Sequence, residues 1–284
     1  MIDLHCHTTA SDGTLTPHEL VELAAARGFT HLAITDHDSV AGTKAAAPLC
    51  RTAGILLIPA VELSTEYEGQ PVDILGYGID PDAPVLGSAL RAMVTARAER
   101  LPRMIERLRG AGIDITREEV ERFAEGGVVG RPHLARALVE RGVVANVSEA
   151  FERYIGRGRV GYEPKEVLTP EQAIAVVKDA GGIAVLAHPC YLKLDDAEFD
   201  RMLDRLTAAG LAGIEVYYSQ HTPDHVQRFE ACARERRLLA TGGSDFHGAS
   251  KPHIALGDGP GGRPLPAELA AALLDALRRA GEGR

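Results

Sequence analysis

MIDLHCHTTASDGTLTPHELVELAAARGFTHLAITDH, residues 1–37, is the stretch on which the reading of the whole chain turns. A short apolar run, Ile2–Leu4, leads straight into His5-Cys6-His7. Thr16-Pro17-His18-Glu19 then has the form of a capping box with proline at the first helical position, and Gly28 closes the helix it starts. A second apolar run, Leu32–Thr35, follows and ends on Asp36-His37-Asp38. Strand, helix and strand, with metal-ligand residue types just past each strand, is the unit of a mostly parallel α/β sheet or barrel.

Working outward, the unit recurs. Further apolar runs at Ile55–Val61, Val72–Tyr77, Ile183–Ala187, Ile214–Tyr217 and Leu238–Thr241 bring the expected strands to seven. Thr169-Pro170-Glu171-Gln172 repeats the capping device, and that helix ends at Gly181-Gly182. The pattern predicts an α/β fold, an irregular seven-stranded (β/α)7 barrel. Val61 to Val72 is too short for a crossover helix, so a hairpin is expected there. Residues 88–160 interrupt the alternation. Leu90, Met93, Val94, Leu101, Ile105 and Leu108 fall at helical spacing, with a kink expected at Pro102. Thr116-Arg117-Glu118-Glu119 starts another helix, and Pro132 to Gly142 forms a third. The expected organisation is a barrel from residues 1–87 and 161–284, with residues 88–160 as a helical insertion able to serve as a substrate-binding lid.

The chain has 284 residues, of which 45% are hydrophobic and 25% charged, an ordinary balance for a globular protein. No stretch approaches the roughly 18 apolar residues that a membrane helix needs. Met1–His5 shows no secretion-signal pattern, and Cys6, Cys50, Cys190 and Cys232 lack CxxC spacing. Free thiols in the cytoplasm are the expectation. A net charge of −9 argues against a protein that coats nucleic acid, and nothing points to a membrane partner. Residues 91–160 nevertheless hold fourteen Arg, no Lys and ten acidic residues. That segment is either a local anion site or a solvated helix face.

The chemistry is carried by where His, Asp and Glu fall. His5 and His7 lie at i, i+2, which on a strand turns both imidazoles to one face and lets them grip one metal. His37 follows the second run, Glu62 the third, and Asp73 lies in the fourth. His188 ends the fifth, and Asp245 with His247 repeats the i, i+2 spacing after the last. In barrels of this kind active sites gather at the C-terminal strand ends. A lone histidine there is usually structural, but two such pairs with further ligand-type residues at one rim are not. Alternation turns Cys6 away from this face, so it is read as packing.

Five motifs in order resemble those of the PHP (polymerase and histidinol phosphatase) superfamily: His5-Cys6-His7-Thr8 through Ser11-Asp12-Gly13, Thr35-Asp36-His37-Asp38, Val61-Glu62-Leu63-Ser64, Ala187-His188-Pro189, and Gly243-Ser244-Asp245-Phe246-His247. The nearest likeness is to bacterial phosphoesterases of 3′,5′-nucleotide bisphosphates, some of which also trim RNA from the 5′ end. That resemblance implies metal-ligand roles for His5, His7, Asp12, His37, Glu62, His188, Asp245 and His247. It also implies a site for two or three divalent ions, Mn²⁺ first, with Fe²⁺ or Zn²⁺ as other choices. Relatives usually carry histidine where this chain has Asp73. A carboxylate can also ligate Mn²⁺, so Asp73 joins the expected set.

Such a set implies hydrolysis by a metal-activated hydroxide, without a protein nucleophile. Arg131 and His133 open a helix at Gly130-Arg131-Pro132-His133, where backbone N–H groups and a cation favour phosphate. Lys165 and His221 also resemble positions near substrate. Asp36 is expected to orient a ligand, whereas Asp38 is expected to cap a turn. The expected substrate is a nucleoside 3′,5′-bisphosphate losing its 3′-phosphate. The alternatives are 5′→3′ trimming of short oligoribonucleotides, a histidinol-phosphate-type monophosphatase, and a non-catalytic metal-binding scaffold.

Overall fold

The structure, a computed structural model, describes residues 1–123, 130–164 and 168–282, apart from the Arg97 side chain. The chain divides into two compact units, Met1–Leu90 with Leu168–Arg284, and Arg91–Val167. Among the described residues no helix is long and apolar enough to cross a membrane.

The first unit is α/β. Strands β1 (Ile2–Cys6), β2 (His31–Ile34) and β3 (Leu56–Leu57) form a parallel sheet in that order. Strands β4 (Ala60–Tyr67), β5 (Gln70–Tyr77), β6 (Ile183–Leu186), β7 (Gly213–Tyr218) and β8 (Leu239–Gly243) form a second sheet. Its β4–β5 and β5–β6 pairs are antiparallel, and the last two pairs are parallel. The expected seven-stranded barrel is therefore corrected to eight strands in two sheets among the described residues. Pro59 accounts for the extra strand. It has no N–H to extend a ladder, so the run Ile55–Val61 breaks there. Leu56 and Leu57 stay with β2, while Ala60 onward changes partner to β5. Isolated parallel bridges link the sheets on both sides, Cys6 with Phe246 and His37 with Glu62.

The β4–β5 connection is the expected hairpin, paired from Ala60–Tyr77 to Tyr67–Gln70. Its turn residues Glu68 and Gly69 have φ of 48° and 83°, as a tight hairpin turn requires. The helices that cover the strands begin as their sequences dictate. In α1 (Pro17–Ala26) the Thr16 hydroxyl accepts from the Glu19 N–H, and Glu19 returns an acceptor to the Thr16 N–H. The same reciprocal cap opens α7 (Pro170–Asp179) at Thr169 and Gln172. Helices α2 (Ala41–Ala53), α8 (Asp196–Ala209), α9 (Pro223–Arg236) and α10 (Glu268–Glu282) complete this unit.

Packing distributes the apolar residues into layers. Leu20, Val21 and Ala24 of α1 pack with Leu32, Ile34 and Cys6. Ala173, Ile174 and Val177 of α7 pack with Val61, Leu63 and Ile74. A third cluster joins Ile2, Leu4, Leu75 and Val185 to Leu269 and Leu273 of α10. Each fully buried Leu or Ile contributes about 1.5–3 kcal/mol. The β1 register shifts between Asp3 and Cys6, and Leu4 and Cys6 accordingly fall in different clusters.

The second unit contains most of α3 (Pro84–Gly110), then α4 (Arg117–Glu121), α5 (Arg131–Glu140) and α6 (Val147–Ala150). Helix α3 begins earlier than expected and is continuous through Pro102. Leu101, Met104, Leu108, Val120, Leu134 and Leu138 are among its own core residues.

Candidate metal centre

Strand ends deliver the predicted ligand residues to one place. His5 lies near the end of β1 and His7 just beyond it, both fully buried. Glu62 sits in β4, also fully buried, and is bridged to His37 beyond β2. Glu62 is the hub. Its Oε2 lies 3.3 Å from His5 Nε2, 3.2 Å from His7 Nε2 and 3.4 Å from His37 Nδ1, while Oε1 lies 2.9 Å from His188 Nε2. Asp245 is a second hub, with Oδ1 3.3 Å from His7 Nε2 and 3.2 Å from His247 Nδ1. Asp12, half exposed, reaches His247 Nε2 at 3.2 Å.

All nine predicted metal residues fall in overlapping groups whose ligand atoms lie within 4.8 Å of one another. These are His7, Asp12, His37 and His247; His5, His7 and Asp245; His5, Glu62 and His188; and His37, Glu62 and Asp73. The donors fit divalent cations. Buried His7 Nε2 and His37 Nδ1 find no hydrogen-bond partner, although both lie close to Glu62 Oε2. Lone pairs converging without hydrogen bonds are what a cation site requires.

The electrostatics agree. Burial opposes charge at His5, His7 and Glu62, yet it is outweighed at all three. Glu215 and Glu62 hold the His5 imidazolium well above the ordinary histidine range despite that burial. His7 is likewise pushed up to about 9 by Asp245 and Glu62. Burial works against the charge of Glu62 as well, but His37 and His5 hold its carboxyl well below the usual range. Protons on imidazoles thus balance buried carboxylates, a balance that divalent ions would supply instead.

Backbone strain marks the same residues. His188 (φ 22°) and Asp245 (φ 57°) lie in the left-handed region, as does Asp38 (φ 52°). Non-glycine residues there cost of order 1–3 kcal/mol each and persist only where surroundings enforce them. Asp38 is held by its N–H to Glu62 O and by its Oδ1 accepting the Ser64 N–H. His188 is held by its N–H to Glu215 Oε2 at 2.8 Å.

Comparison with known proteins decides the lineage. The PHP domain matches residues 3–97. The 5′-3′ exoribonuclease Rnm of Escherichia coli is 40% identical over 257 residues, covering 90% of this chain and 87% of that protein. The chain belongs to the PHP family. A 3′,5′-nucleoside bisphosphate phosphatase of Chromobacterium violaceum is 37% identical over 247 residues, 87% of each protein. A solved Bifidobacterium adolescentis structure, described as that of a metal-dependent phosphoesterase, superposes with TM-score 0.71 at 35% identity. It covers 96% of this chain, which in turn covers 95% of it. The PHP chain is an enzyme of the metal-dependent phosphoesterase class.

Around the PHP centre stand residues that sequence reading passed over. Glu215, fully buried in β7, places Oε1 3.0 Å from His5 Nδ1. Lys251 Nζ donates to Asp245 Oδ2 at 2.5 Å, and the Tyr218 hydroxyl donates to the same oxygen at 2.8 Å. A carboxylate inside the apolar run Ile214–Tyr217 was a legible signal for Glu215, since a buried charge needs a partner. Lys251 gave none.

The remaining expected residues divide. Asp36 accepts from the N–H and hydroxyl of Thr8 and from the Ser11 hydroxyl, so it fixes the loop between His7 and Asp12. Cys6 packs in the apolar layer, as expected. His221 is buried, with Nδ1 2.8 Å from Val216 O and its ring 5.2 Å from that of Tyr218. Arg131 and His133 belong to the second unit. There His133 Nδ1 accepts the Gly130 N–H and caps α5, while Arg131 lies over the Phe151 ring at 5.6 Å. Lys165 lies outside the described residues.

Asp73 offers an oxygen to the His37–Glu62 group, and its Oδ2 lies 3.9 Å from His188 Nε2. Asp73→Ala is expected to lower bound metal per chain and to reduce kcat at least about tenfold, whereas Asp73→His retains both. Elemental analysis alongside kinetics checks this. Unchanged stoichiometry and unchanged kcat in the Ala variant would remove Asp73 from the centre.

Proposed function

We propose that this PHP enzyme removes the 3′-phosphate from nucleoside 3′,5′-bisphosphates, with Mn²⁺ as the working metal. The observation carrying the reading is the convergence of His5, His7, Asp12, His37, Glu62, Asp73, His188, Asp245 and His247 on one rim. Mixed imidazole and carboxylate donors suit Mn²⁺. Divalent ions bound there supply Lewis-acid polarisation of the scissile phosphoryl group and acidify water. Glu62 and Asp245 hold the negative charge that retains the cations, and Glu215 fixes the His5 ring. Lys251, tied to Asp245 and partly exposed, neutralises the outer carboxylate oxygen that would otherwise repel a phosphate. Residues 88–160 are the substrate-binding insertion in this reading, with Arg131 and His133 as its candidate phosphate-binding residues.

A second reading, 5′→3′ trimming of short RNA, is favoured by the 40% identity to the protein named for that activity. The two are compatible, because a short RNA presents the same 5′-phosphate and neighbouring phosphodiester. The test is phosphate release from adenosine 3′,5′-bisphosphate, run beside a 5′-phosphorylated RNA of a few nucleotides. Chelation is expected to abolish both activities and Mn²⁺ to restore them. Full turnover in protein shown to hold no metal would sink the mechanism. RNA trimming without release from the bisphosphate would replace the first reading with the second.

A further inference from the structure

Beyond His188 the chain makes a single three-residue helical turn, Pro189–Tyr191, that brings Tyr191 back to the metal centre. Tyr191 is 51% exposed, and it is the only exposed Phe or Tyr among the described residues. Its ring centroid lies 5.3 Å from that of His188 and 5.9 Å from that of Tyr218. The ring is not free to swing. Tyr218 commits its proton to Asp245 Oδ2, so at the 2.9 Å contact between the two tyrosines Tyr191 is the donor. A chain of hydrogen bonds therefore runs from Tyr191 through Tyr218 to Asp245.

We propose that Tyr191 is the stacking platform for the substrate's nucleobase. Three observations carry it. An apolar face of this size is left exposed beside one of the most charged clusters of the molecule, where apolar surface gains nothing by facing water. The hydroxyl anchor fixes the ring before any ligand arrives, so little conformational entropy is lost on binding. The platform also adjoins the ligand residue His188 directly and reaches Asp245 through Tyr218, so a base one ribose away from a phosphate held at the centre is within reach of a side chain just outside it. Stacking needs only a π-face, so this contact selects nucleosides over other phosphate esters without reading which base is present.

The proposal rests on a nucleotide substrate, and its test separates the two ideas. Calorimetric binding of adenosine 5′-monophosphate and of ribose 5-phosphate is measured on the Mn²⁺-loaded protein and its Tyr191 variants, alongside adenosine 3′,5′-bisphosphate turnover. Tyr191→Ala is expected to weaken the nucleotide about 5- to 150-fold, the scale of one lost base stack. Ribose 5-phosphate, which has no base, should bind the variant as it binds the native protein. Tyr191→Phe keeps the ring and should keep most of the nucleotide affinity. Equal affinity of native and Ala proteins for the nucleotide overturns the platform, whatever the turnover. Equal loss for both ligands also overturns it and makes Tyr191 a support for His188. Selective loss of nucleotide binding with no bisphosphate turnover in native protein keeps the platform and overturns the assigned reaction instead.

Discussion

Glu62→Gln is expected to empty the centre of metal and to lower kcat/KM by at least about 10³-fold, or about 4 kcal/mol of transition-state stabilisation. The substitution preserves shape almost atom for atom, so the loss isolates charge and donor capacity. In the native protein both carboxylate oxygens are engaged, Oε2 facing His5, His7 and His37 and Oε1 facing His188. An amide has one oxygen to offer. Its NH₂ must then point either at His188 Nε2 or into the three converging imidazoles, where it presents protons in place of lone pairs. Glu62 also belongs to two of the overlapping ligand groups, so one change disturbs more than one cation position. Elemental analysis of the purified variant and kinetics on adenosine 3′,5′-bisphosphate check the outcome. A Gln variant with native metal content and native kcat/KM would displace Glu62 from the hub of the centre.

The centre was legible because several of its ligands recur at two-residue spacing at or just beyond strand ends. His5 and His7 lie at i, i+2, as do Asp245 and His247, the first pair directly after an apolar run and the second a few residues beyond one. Helix starts at Thr16, Thr116 and Thr169 were legible for a similar reason, since a capping box is a local bargain between residues three apart. What escaped was set by distant partners. Pro59 splits one apolar run only because its two halves find different neighbours, β2 and β5. Tyr191 and Lys251 reach the centre through Tyr218 and Asp245, and no spacing in the chain announces such contacts. Asp36 and Asp38 flank a ligand residue in sequence, yet their carboxylates hold backbone elsewhere, one the loop at Thr8 and Ser11 and the other Ser64 in β4.

Glu215 shows how a residue outside the ligand set governs one inside it. Its Oε1 sits 3.0 Å from His5 Nδ1, so the carboxylate selects the tautomer with the proton on Nδ1 and a lone pair on Nε2. Nε2 is the nitrogen that faces Glu62 and Asp245. The other oxygen accepts the N–H of His188, which holds that residue at its strained φ of 22°. Glu215→Gln cannot serve both partners. With the amide oxygen on His188 N–H, the NH₂ donates to His5 Nδ1, which moves the His5 proton to Nε2 and points it at the cation position. With the amide reversed, two donors face each other at His188. Glu215→Gln is therefore expected to weaken metal binding about 10- to 100-fold while the protein stays folded. Glu215→Ala should show a similar loss of metal affinity and a further loss of about 1 kcal/mol in stability from the lost, partly buried hydrogen bond to the His188 N–H. Metal titration by calorimetry and thermal unfolding of the chelated protein read the two effects separately. Native metal affinity in the Gln variant would mean that His5 is oriented by packing alone, and equal stability of the Gln and Ala variants would mean that the His188 N–H finds another acceptor.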